Sequence, residues 1–378
     1  MVRQFPISLL LLLCAFSLCA QPRRIRDWGI EPGVMRPGPW NAITDVKGVK
    51  VGHATIVRGD SVRTGVTAIL PHGGNLFMEK VPGGLFVGNG FGKLAGVTQL
   101  QELGTVETPI VLTNTLSVGV AVEAVVSHTL SQPGNGSVQS VNAVVGETND
   151  GRLNDIRGMH VRREDVFSAI DRAGTGLVAE GAVGAGTGTV CFGYKGGIGT
   201  SSRRLPASAG GYTVGVIVQS NFGGVLMVDG VPVGERLGNH YLSDALSRKE
   251  DGSCMIVVAT DAPLDSRQLS RLAKRAFMGL ARTGGIAHHG SGDYVIAFST
   301  DSLSRVPHLS KSPARQVTIL HDDAISPLFL AAIEATEEAI LNSLTMAAAS
   351  KGRNGNVVEA LPMHKVMDIL SEYKRVDR

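Results

Sequence analysis

The first two-thirds of the chain consist largely of short apolar runs, each bounded by glycines or polar turns. Four of these runs are rich in Val, Ile and Leu and cover residues 66–70, 110–112, 141–145 and 212–219. Short runs of this kind between turn signals are typical of buried β-strands. The chain has 48 glycines in 378 residues, and because aliphatic residues are also abundant, they indicate tight turns and close backbone approaches instead of disorder. The pattern predicts a packed protein of mixed α/β class.

Helical periodicity interrupts the strand pattern in several places. The clearest helix is predicted over 266–282, where apolar residues recur on one face. Asp265 or Ser266 can cap its start, and the glycines at 284 and 285 end it. Further helices are predicted over 117–131, in the segment that opens after Arg163, over 326–349 and over 363–373.

The first twenty residues resemble a targeting segment and not a part of the fold. Arg3 precedes an apolar run that begins at Leu9 and is too short to span a bilayer, and small residues follow it. We therefore expect a secretory signal peptide over 1–20, cut before Gln21 or one residue earlier, and a secreted or periplasmic protein. An uncleaved membrane anchor is the alternative. Lipidation of Cys14 or Cys19 is disfavoured, because a bulky leucine precedes each cysteine.

The remaining composition excludes several classes of function. The formal net charge is only +3, which gives no electrostatic footprint for a nucleic acid. Only Cys191 and Cys254 remain after signal removal, and neither has the spacing of a structural zinc site. An export signal permits a disulfide, but each cysteine is more typical of a small buried residue. We expect no cofactor, metal, nucleic acid or membrane partner for the mature chain.

A Gly-Ser pair marks a boundary in the last third of the chain. The polar segment 242–252 has no strand pattern and leads into the apolar run 255–260. A serine nucleophile needs a base, and cleavage between Gly252 and Ser253 would supply one, because the new α-amine titrates near neutrality. Glycine also leaves the scissile carbonyl open and tolerates the strained dihedrals of an N-to-O acyl shift. Since Gly-Ser is a common dipeptide, the pair alone is a weak signal.

Longer segments strengthen this interpretation. GSCMIVVATDAPL at 252–264 resembles the start of the small subunit of the DmpA-type aminopeptidases, and 41–53, 64–71, 88–119, 181–203 and 335–344 also resemble segments of that family. The family includes L-aminopeptidase/D-amidase/esterase enzymes and β-peptidyl aminopeptidases. The resemblance implies a four-layer αββα sandwich of the type shared with ornithine acetyltransferases, with self-cleavage before Ser253. It also implies a large segment over 21–252 and a small segment over 253–378 that form one catalytic domain.

The resemblance assigns catalytic roles to four residues. Ser253 matches the nucleophile, Asn221 an oxyanion-hole asparagine, and Ser291 a serine that hydrogen-bonds the nucleophile. Asp293 takes the position of the acidic residue that orients this serine, where relatives carry the longer glutamate.

Substrate contacts are expected from the segment 147–155. Glu147 and Asp150 are candidates to bind a substrate ammonium, since an exopeptidase needs a carboxylate that recognises a free amine. Arg152 stands where one relative has a tyrosine linked to the oxyanion hole. The arginine could donate hydrogen bonds there or bind a substrate carboxylate.

These features predict a serine aminopeptidase that releases N-terminal residues from small peptides, amides or esters with a free amino terminus. Its general base is either the α-amine of Ser253 or the pair formed by Ser291 and Asp293. We expect processed heterodimers that assemble into a homo-oligomer. The alternatives are an acyltransferase of the ornithine acetyltransferase type, although those enzymes use threonine as nucleophile, and a non-catalytic ligand-binding protein on the same fold. The preference for α-, β- or D-amino acids is left open.

Three further motifs have simpler interpretations. His288 and His289 could form a metal pair or complete a triad with Ser253 and Asp293. Adjacent residues on a strand face opposite sides, so packing or support of the site is favoured. The glycine-rich run 184–188 lacks the spacing of a phosphate loop and is expected to form turns near the site. The acidic segment 321–323 suits the start of a helix better than a metal site.

Overall fold

The computed structural model describes residues 22–243 and 252–376. The predicted signal peptide over 1–20 and most of the loop 242–252 lie outside the described residues. The strands are β1 (Lys50–Arg58), β2 (Val62–Leu70), β3 (Glu79–Gly90), β4 (Thr105–Val106), β5 (Ile110–Asn114), β6 (Val144–Thr148), β7 (Val190–Cys191), β8 (Tyr194–Lys195), β9 (Ile198–Arg204), β10 (Thr213–Asn221), β11 (Ser253–Thr260), β12 (Gly292–Ser299), β13 (Val306–Pro307), β14 (Ser350–Lys351) and β15 (Val357–Val358). The helices are α1 (Val118–Leu130), α2 (Arg163–Asp171), α3 (Val233–Arg236), α4 (Ser266–Arg282), α5 (Ser326–Thr345) and α6 (Met363–Glu372).

Two sheets form the centre of the fold. The smaller has the strand order β1-β2-β5-β6, and the larger has the order β13-β3-β12-β11-β10-β9, with β4 paired to β3. Within the larger sheet, β11 runs antiparallel to β10 and parallel to β12. Because β3 and β10 come from the predicted large segment while β11 and β12 come from the small one, both segments contribute to the same sheet.

Side-chain alternation along the strands divides the core into three parts. On β11, Ile256 and Val258 pack with α4 and α5, whereas Met255 and Val257 pack against the smaller sheet. Helices α1 and α2 cover the outer face of the smaller sheet. The layers therefore run α1 and α2, smaller sheet, larger sheet, α4 and α5, which confirms the predicted αββα sandwich.

Most predicted elements are confirmed. Helix α4 has the predicted bounds, and the Asp265 carboxylate caps it by accepting a hydrogen bond of 2.7 Å from the Gln268 backbone N–H. Helices α1, α2 and α6 agree with prediction to within one residue at each predicted end. The runs predicted at 66–70 and 110–112 lie in β2 and β5, and the run 212–219 lies in β10 except for its first residue.

Two predicted boundaries are wrong for reasons of tertiary structure. Helix α5 ends at Thr345 and not at 349, at the point where the Met346 carbonyl packs so closely on Gly181 that a Cβ on this glycine would lie 2.2 Å from the oxygen. The strand predicted at 141–145 begins only at Val144. The Asn142 backbone N–H donates to a Glu107 carboxylate oxygen at 2.8 Å and so makes no ladder bond.

Candidate active site

Three neighbouring strands of the larger sheet meet at Ser253, the first residue of β11. Ser253 is paired with Asn221 at the end of β10 and with Gly292 at the start of β12. Alternation along β11 places the Ser253 side chain on the face of Met255 and Val257, between the two sheets. Non-local strand pairing therefore brings the predicted nucleophile beside the predicted oxyanion-hole residue.

The Ser253 hydroxyl is held against the carbonyl of the preceding residue. It donates to the Gly252 carbonyl oxygen at 2.6 Å, and Ser253 is only 4% exposed. The Gly292 backbone N–H points at both oxygens, at 3.3 Å from Ser253 Oγ and 3.3 Å from the Gly252 carbonyl oxygen. Sequence reasoning missed this donor, because a backbone N–H leaves no trace in residue types.

Asn221 has a defined side-chain orientation. Its Oδ1 accepts a hydrogen bond of 2.9 Å from the backbone N–H of Val190, in the short hairpin formed by β7 and β8. Since the oxygen end of the amide is engaged by Val190, the Nδ2 end is left as the donor. This is the orientation that an oxyanion-hole asparagine requires.

Asp293 lies behind the nucleophile and not beside it. It pairs in register with Cys254, whose side chain belongs to the core under α4 and α5, so Asp293 faces the opposite side of the sheet from Ser253. Burial raises the pKa of Asp293 to about 6, while the Ser291 hydroxyl and the Cys254 backbone N–H act to lower it. Neither contact has full hydrogen-bond geometry, because both Asp293 carboxylate oxygens lack such a partner among the described residues.

The predicted hydrogen bond between Ser291 and the nucleophile is absent in the intact chain. Ser291 is fully buried, and its Oγ has no hydrogen-bond partner within the described part of the chain. The Ser253 hydroxyl donates to the Gly252 carbonyl instead. Formation of the contact after cleavage stays a prediction.

Glu147 is placed to face the site from the end of β6. Its carboxylate accepts a hydrogen bond of 3.0 Å from the Lys93 backbone N–H and another from the Thr115 hydroxyl. A Cβ on Gly92 would lie 3.2 Å from Glu147 Oε1 and 3.1 Å from the Gly292 Cα, so the carboxylate and β12 border the same small space. Burial raises the pKa of Glu147, and its two hydrogen bonds partly offset this.

Asp150 has a different environment from Glu147. One of its oxygens accepts from Asn154 Nδ2 at 2.9 Å, and the other has no hydrogen-bond partner in the described ranges. Burial raises the pKa of Asp150 to about 7, although the side chains of Thr64, Asn154 and Asn114 act to lower it. These contacts support the turn after β6 and do not show Asp150 as a group that meets substrate.

Arg152 lies on the exposed part of the same turn. Its backbone carbonyl accepts a hydrogen bond of 2.8 Å from Asn356 Nδ2. The two roles considered for its guanidinium stay predictions.

The glycine-rich run 184–188 is a turn held by side chains. The backbone N–H groups of Gly184 and Ala185 donate to the hydroxyls of Thr55 and Thr67 at 2.8 and 3.1 Å, and that of Gly186 donates to the Val183 carbonyl at 2.9 Å. With these three donors engaged by protein atoms, the run does not present them to a phosphate.

Lys195 on β8 is a buried basic residue that the sequence did not single out. Its side chain is fully buried, and Nζ donates to the carbonyls of Gly186 at 2.9 Å and Gly196 at 2.6 Å. Burial lowers the pKa of Lys195 to about 7. No sequence signal distinguishes it from a surface lysine.

The remaining two motifs are the histidine pair and the acidic segment 321–323. His288 and His289 lie in the loop before β12 and not on a strand, and His288 Nε2 lies 3.2 Å from the position of a Cβ on Gly252. Asp322 is paired with Arg267 at 2.8 Å and Arg271 at 3.1 Å. Over residues 22–243 and 252–376, no cluster of three or more His, Cys, Asp or Glu side chains is arranged to hold a metal ion. In the same ranges, no helix has both the length and the apolar character needed to cross a membrane.

Comparisons with known proteins agree with this geometry. The sequence profile of peptidase family S58 matches residues 41–358 of this chain. The chain is 41% identical over 394 aligned residues to the β-peptidyl aminopeptidase BapA of Sphingosinicella microcystinivorans, covering 99% of this chain and 98% of that protein. The solved structure of a Burkholderia sp. β-aminopeptidase is 44% identical with a TM-score of 0.85, covering 93% and 99% of the two chains.

A third relative connects the fold with the chemistry. It is the L-aminopeptidase D-Ala-esterase/amidase of Ochrobactrum anthropi, a prototype of the serine aminopeptidases with a variant of the N-terminal nucleophile hydrolase fold. It is 36% identical with a TM-score of 0.86, covering 94% of this chain and 100% of that one. These matches do not favour the acyltransferase or the non-catalytic alternative. The chain belongs to peptidase family S58 and is an aminopeptidase with the N-terminal nucleophile hydrolase fold.

Proposed function

We propose that this aminopeptidase is exported, cuts its own bond between Gly252 and Ser253, and then uses Ser253 as an N-terminal nucleophile. The observation that carries the proposal is the buried contact of 2.6 Å between the Ser253 hydroxyl and the Gly252 carbonyl oxygen. The Gly292 N–H donates to the same carbonyl oxygen, so a donor for developing negative charge is in place before cleavage. The apolar segment within 1–20 supports export.

Self-cleavage proceeds in two steps. Ser253 Oγ attacks the Gly252 carbonyl carbon, the bond from that carbon to the Ser253 nitrogen breaks, and the hydroxyl proton passes to the departing nitrogen. Water then hydrolyses the resulting ester, which leaves a carboxylate on Gly252 and a free amine and hydroxyl on Ser253.

Substrate turnover repeats this chemistry on an external carbonyl. The free α-amine of Ser253, with an ordinary pKa of about 7.7–8.0, accepts the hydroxyl proton as Oγ attacks the first carbonyl of the substrate. Asn221 Nδ2 stabilises the oxyanion, the amine of the remaining peptide leaves with a proton, and water hydrolyses the acyl-enzyme. Asp293 orients the Ser291 hydroxyl, and this hydroxyl hydrogen-bonds Ser253 after cleavage.

Substrates carry a free amino terminus, and Glu147 pairs with it. The Glu147 carboxylate borders the same space as β12, beside the nucleophile, and a partly buried ammonium has to be paired. Its hydrogen bonds from Lys93 and Thr115 hold it in one position.

We propose that the enzyme prefers to release β-amino acids. Gly252 supplies the acyl group in self-cleavage. Its surroundings therefore indicate the acyl site, which is the space that holds the acyl residue of a substrate. An L-oriented Cβ there would lie 2.9 Å from the Phe222 Cα and 3.2 Å from both the Asn221 carbonyl oxygen and His288 Nε2. A β-amino acyl group has an unsubstituted α-carbon and avoids this crowding, and two of the relatives carry β-peptide names.

The test compares p-nitroanilides of β-homoalanine, L-alanine and N-acetyl-β-homoalanine, with Ser253→Ala as the inactive control. We expect kcat/KM to be highest for free β-homoalanine and no measurable cleavage of the acetylated compound. Equal rates on free and acetylated substrates would remove the amine requirement. A faster rate on L-alanine would remove the preference for β-amino acids but not the amine requirement.

A further inference from the structure

Lys195 is a fully buried side chain in the segment whose Val190 N–H binds Asn221, and the mechanism above does not use it. Lys195 and Arg203 have the two largest fully buried side chains in residues 22–243 and 252–376, and both are basic. A fully buried lysine side chain is retained only where its contacts offset the cost of desolvation. What Lys195 contacts is therefore informative.

The contacts of Lys195 close a loop. Nζ donates to the carbonyls of Gly186 and Gly196 at 2.9 and 2.6 Å, so one side chain joins the two ends of the segment 186–196. The Thr189 hydroxyl donates to the same Gly186 carbonyl at 3.1 Å, and the Gly196 backbone N–H donates to the Thr189 carbonyl at 3.2 Å. The loop is therefore closed by both side-chain and backbone hydrogen bonds.

The closed loop carries the group that orients Asn221. The Val190 backbone N–H, inside the loop, donates to Asn221 Oδ1 at 2.9 Å. The Phe192 backbone N–H donates to the carbonyl of Phe222, the residue after Asn221, at 2.7 Å. The loop thus contacts the end of β10 at two points and directs Nδ2 of Asn221 away from Val190.

We propose that Lys195 is a positioning residue for the oxyanion hole, acting through the loop 186–196 and the Val190 N–H on Asn221. The proposal rests on the oxyanion role of Asn221 given above. Lys195 itself touches neither substrate nor nucleophile in this account. Its loss is expected to weaken transition-state stabilisation and to leave ground-state binding almost unchanged.

The test is a double-mutant cycle of Lys195→Met and Asn221→Ala, with kcat and KM measured per mole of folded, processed enzyme. Lys195→Met keeps the volume of the side chain but removes its donors. We expect it to lower kcat about ten-fold or more, since loss of an oxyanion donor costs about 100-fold, with KM within about two-fold. In the Asn221→Ala background the same change is expected to alter kcat by less than about two-fold.

Arg203→Met is the matched control, because it removes the other fully buried cation, on β9. It is expected to lower the melting temperature while leaving kcat per folded enzyme within about two-fold. Thr189→Val is a milder change that removes another hydrogen bond to the Gly186 carbonyl. It tests the proposal if Lys195→Met stays unprocessed. It is expected to lower kcat in the wild-type background only.

Equal losses from Lys195→Met with and without Asn221 would overturn the proposal, as would wild-type kcat in Lys195→Met. A fully active Asn221→Ala enzyme would instead refute the proposed oxyanion role. The two failures are therefore distinguishable.

Discussion

Two buried polar regions of the molecule differ in how completely their groups are paired. The first, the N-terminal ion network, joins the segment after residue 22 to β9 and α5 and consists of Arg24, Arg26, Glu180, Arg203, Glu334 and Glu338. The second is the active site. In the network, each of these charged groups has an ion pair, whereas the site contains Ser291 Oγ, both Asp293 oxygens and His288 Nε2 without hydrogen-bond partners in the described ranges.

The guanidinium of Arg203 shows how complete the first region is. It donates to the Glu334 carboxylate at 3.1 Å, to the Glu338 carboxylate at 2.7 Å and to the Pro32 carbonyl at 2.6 Å. Such a saturated network fixes structure. Buried groups without partners lower stability and concentrate where chemistry is done. The comparison predicts that changes in the network alter stability and that changes in the site alter rate.

The largest expected effect is on stability, in Arg203→Met. Removing this cation leaves two buried carboxylates without their main partner, which is expected to cost about 3–5 kcal/mol in the free energy of unfolding. Arg163→Met, which removes an ion pair with Glu123 in which both side chains are exposed, is the control and is expected to cost less than about 1 kcal/mol. Denaturant unfolding of the Ser253→Ala background measures both without interference from cleavage. Similar losses in the two variants would show that the network is not the stabilising region.

Asp293→Asn is expected to show the opposite pattern. Turnover and processing fall on the order of 100-fold, while stability at pH 8 is unchanged or higher, because the variant has no buried charge to desolvate. Since burial raises the pKa of Asp293 to about 6, the wild-type rate falls as the pH drops through about 6 and the carboxylate is protonated. The same protonation stabilises the folded wild type, because its folded-state pKa lies above the unfolded value.

The pH profile supplies the decisive comparison for Asp293. In Asp293→Asn the acid limb near pH 6 is expected to disappear, which leaves a limb from the Ser253 α-amine near its ordinary pKa of about 7.7–8.0. Asp293→Glu, which keeps the carboxylate and adds one methylene, should keep or improve the wild-type rates. Unchanged rates in Asp293→Asn would show that the α-amine alone is the base.

Gly252→Ala tests whether the close surroundings of the scissile residue matter. A Cβ would meet the Phe222 Cα at 2.9 Å, and overpacking of about 1–3 kcal/mol is expected to slow processing roughly ten-fold. Gly119→Ala on α1, where a Cβ meets nothing within 4 Å, is the control. The measurement is the time course of chain cleavage on denaturing gels, and equal rates in both variants would contradict the account of the acyl site.

The smallest expected effect separates Glu147 from Asp150. Glu147→Gln should raise KM for free aminoacyl p-nitroanilides roughly five-fold, which corresponds to about 1 kcal/mol, with processing intact because self-cleavage involves no free amine. Asp150→Asn is expected to leave KM within about two-fold, since its contacts are internal to the turn after β6. A larger KM change in Asp150→Asn would exchange the two assignments.

The sequence predicted those parts of the fold that local signals determine. Helix α4 has a capping residue, an apolar stripe and terminal glycines, and its bounds were predicted correctly. The end of α5 is not predicted correctly, because good helix formers continue past Thr345, where the Met346 carbonyl contacts Gly181. Local propensity carries no information about such contacts.

The site was predictable only through resemblance. Ser253, Asn221 and Gly292 meet because β10, β11 and β12 pair in one register, and non-local pairing cannot be derived from residue spacing. The Gly292 N–H, the Val190 N–H and the burial of Lys195 have no sequence signature. The αββα layer order likewise came from the family and not from periodicity.

Self-cleavage at Gly252 is the central claim, and the intact masses of the purified protein test it most directly. The account predicts two chains, with the smaller one covering 253–378 and beginning Ser-Cys-Met on N-terminal sequencing, and a single uncut, inactive chain for Ser253→Ala. A fully active wild-type enzyme that remains one chain through this bond would contradict the account.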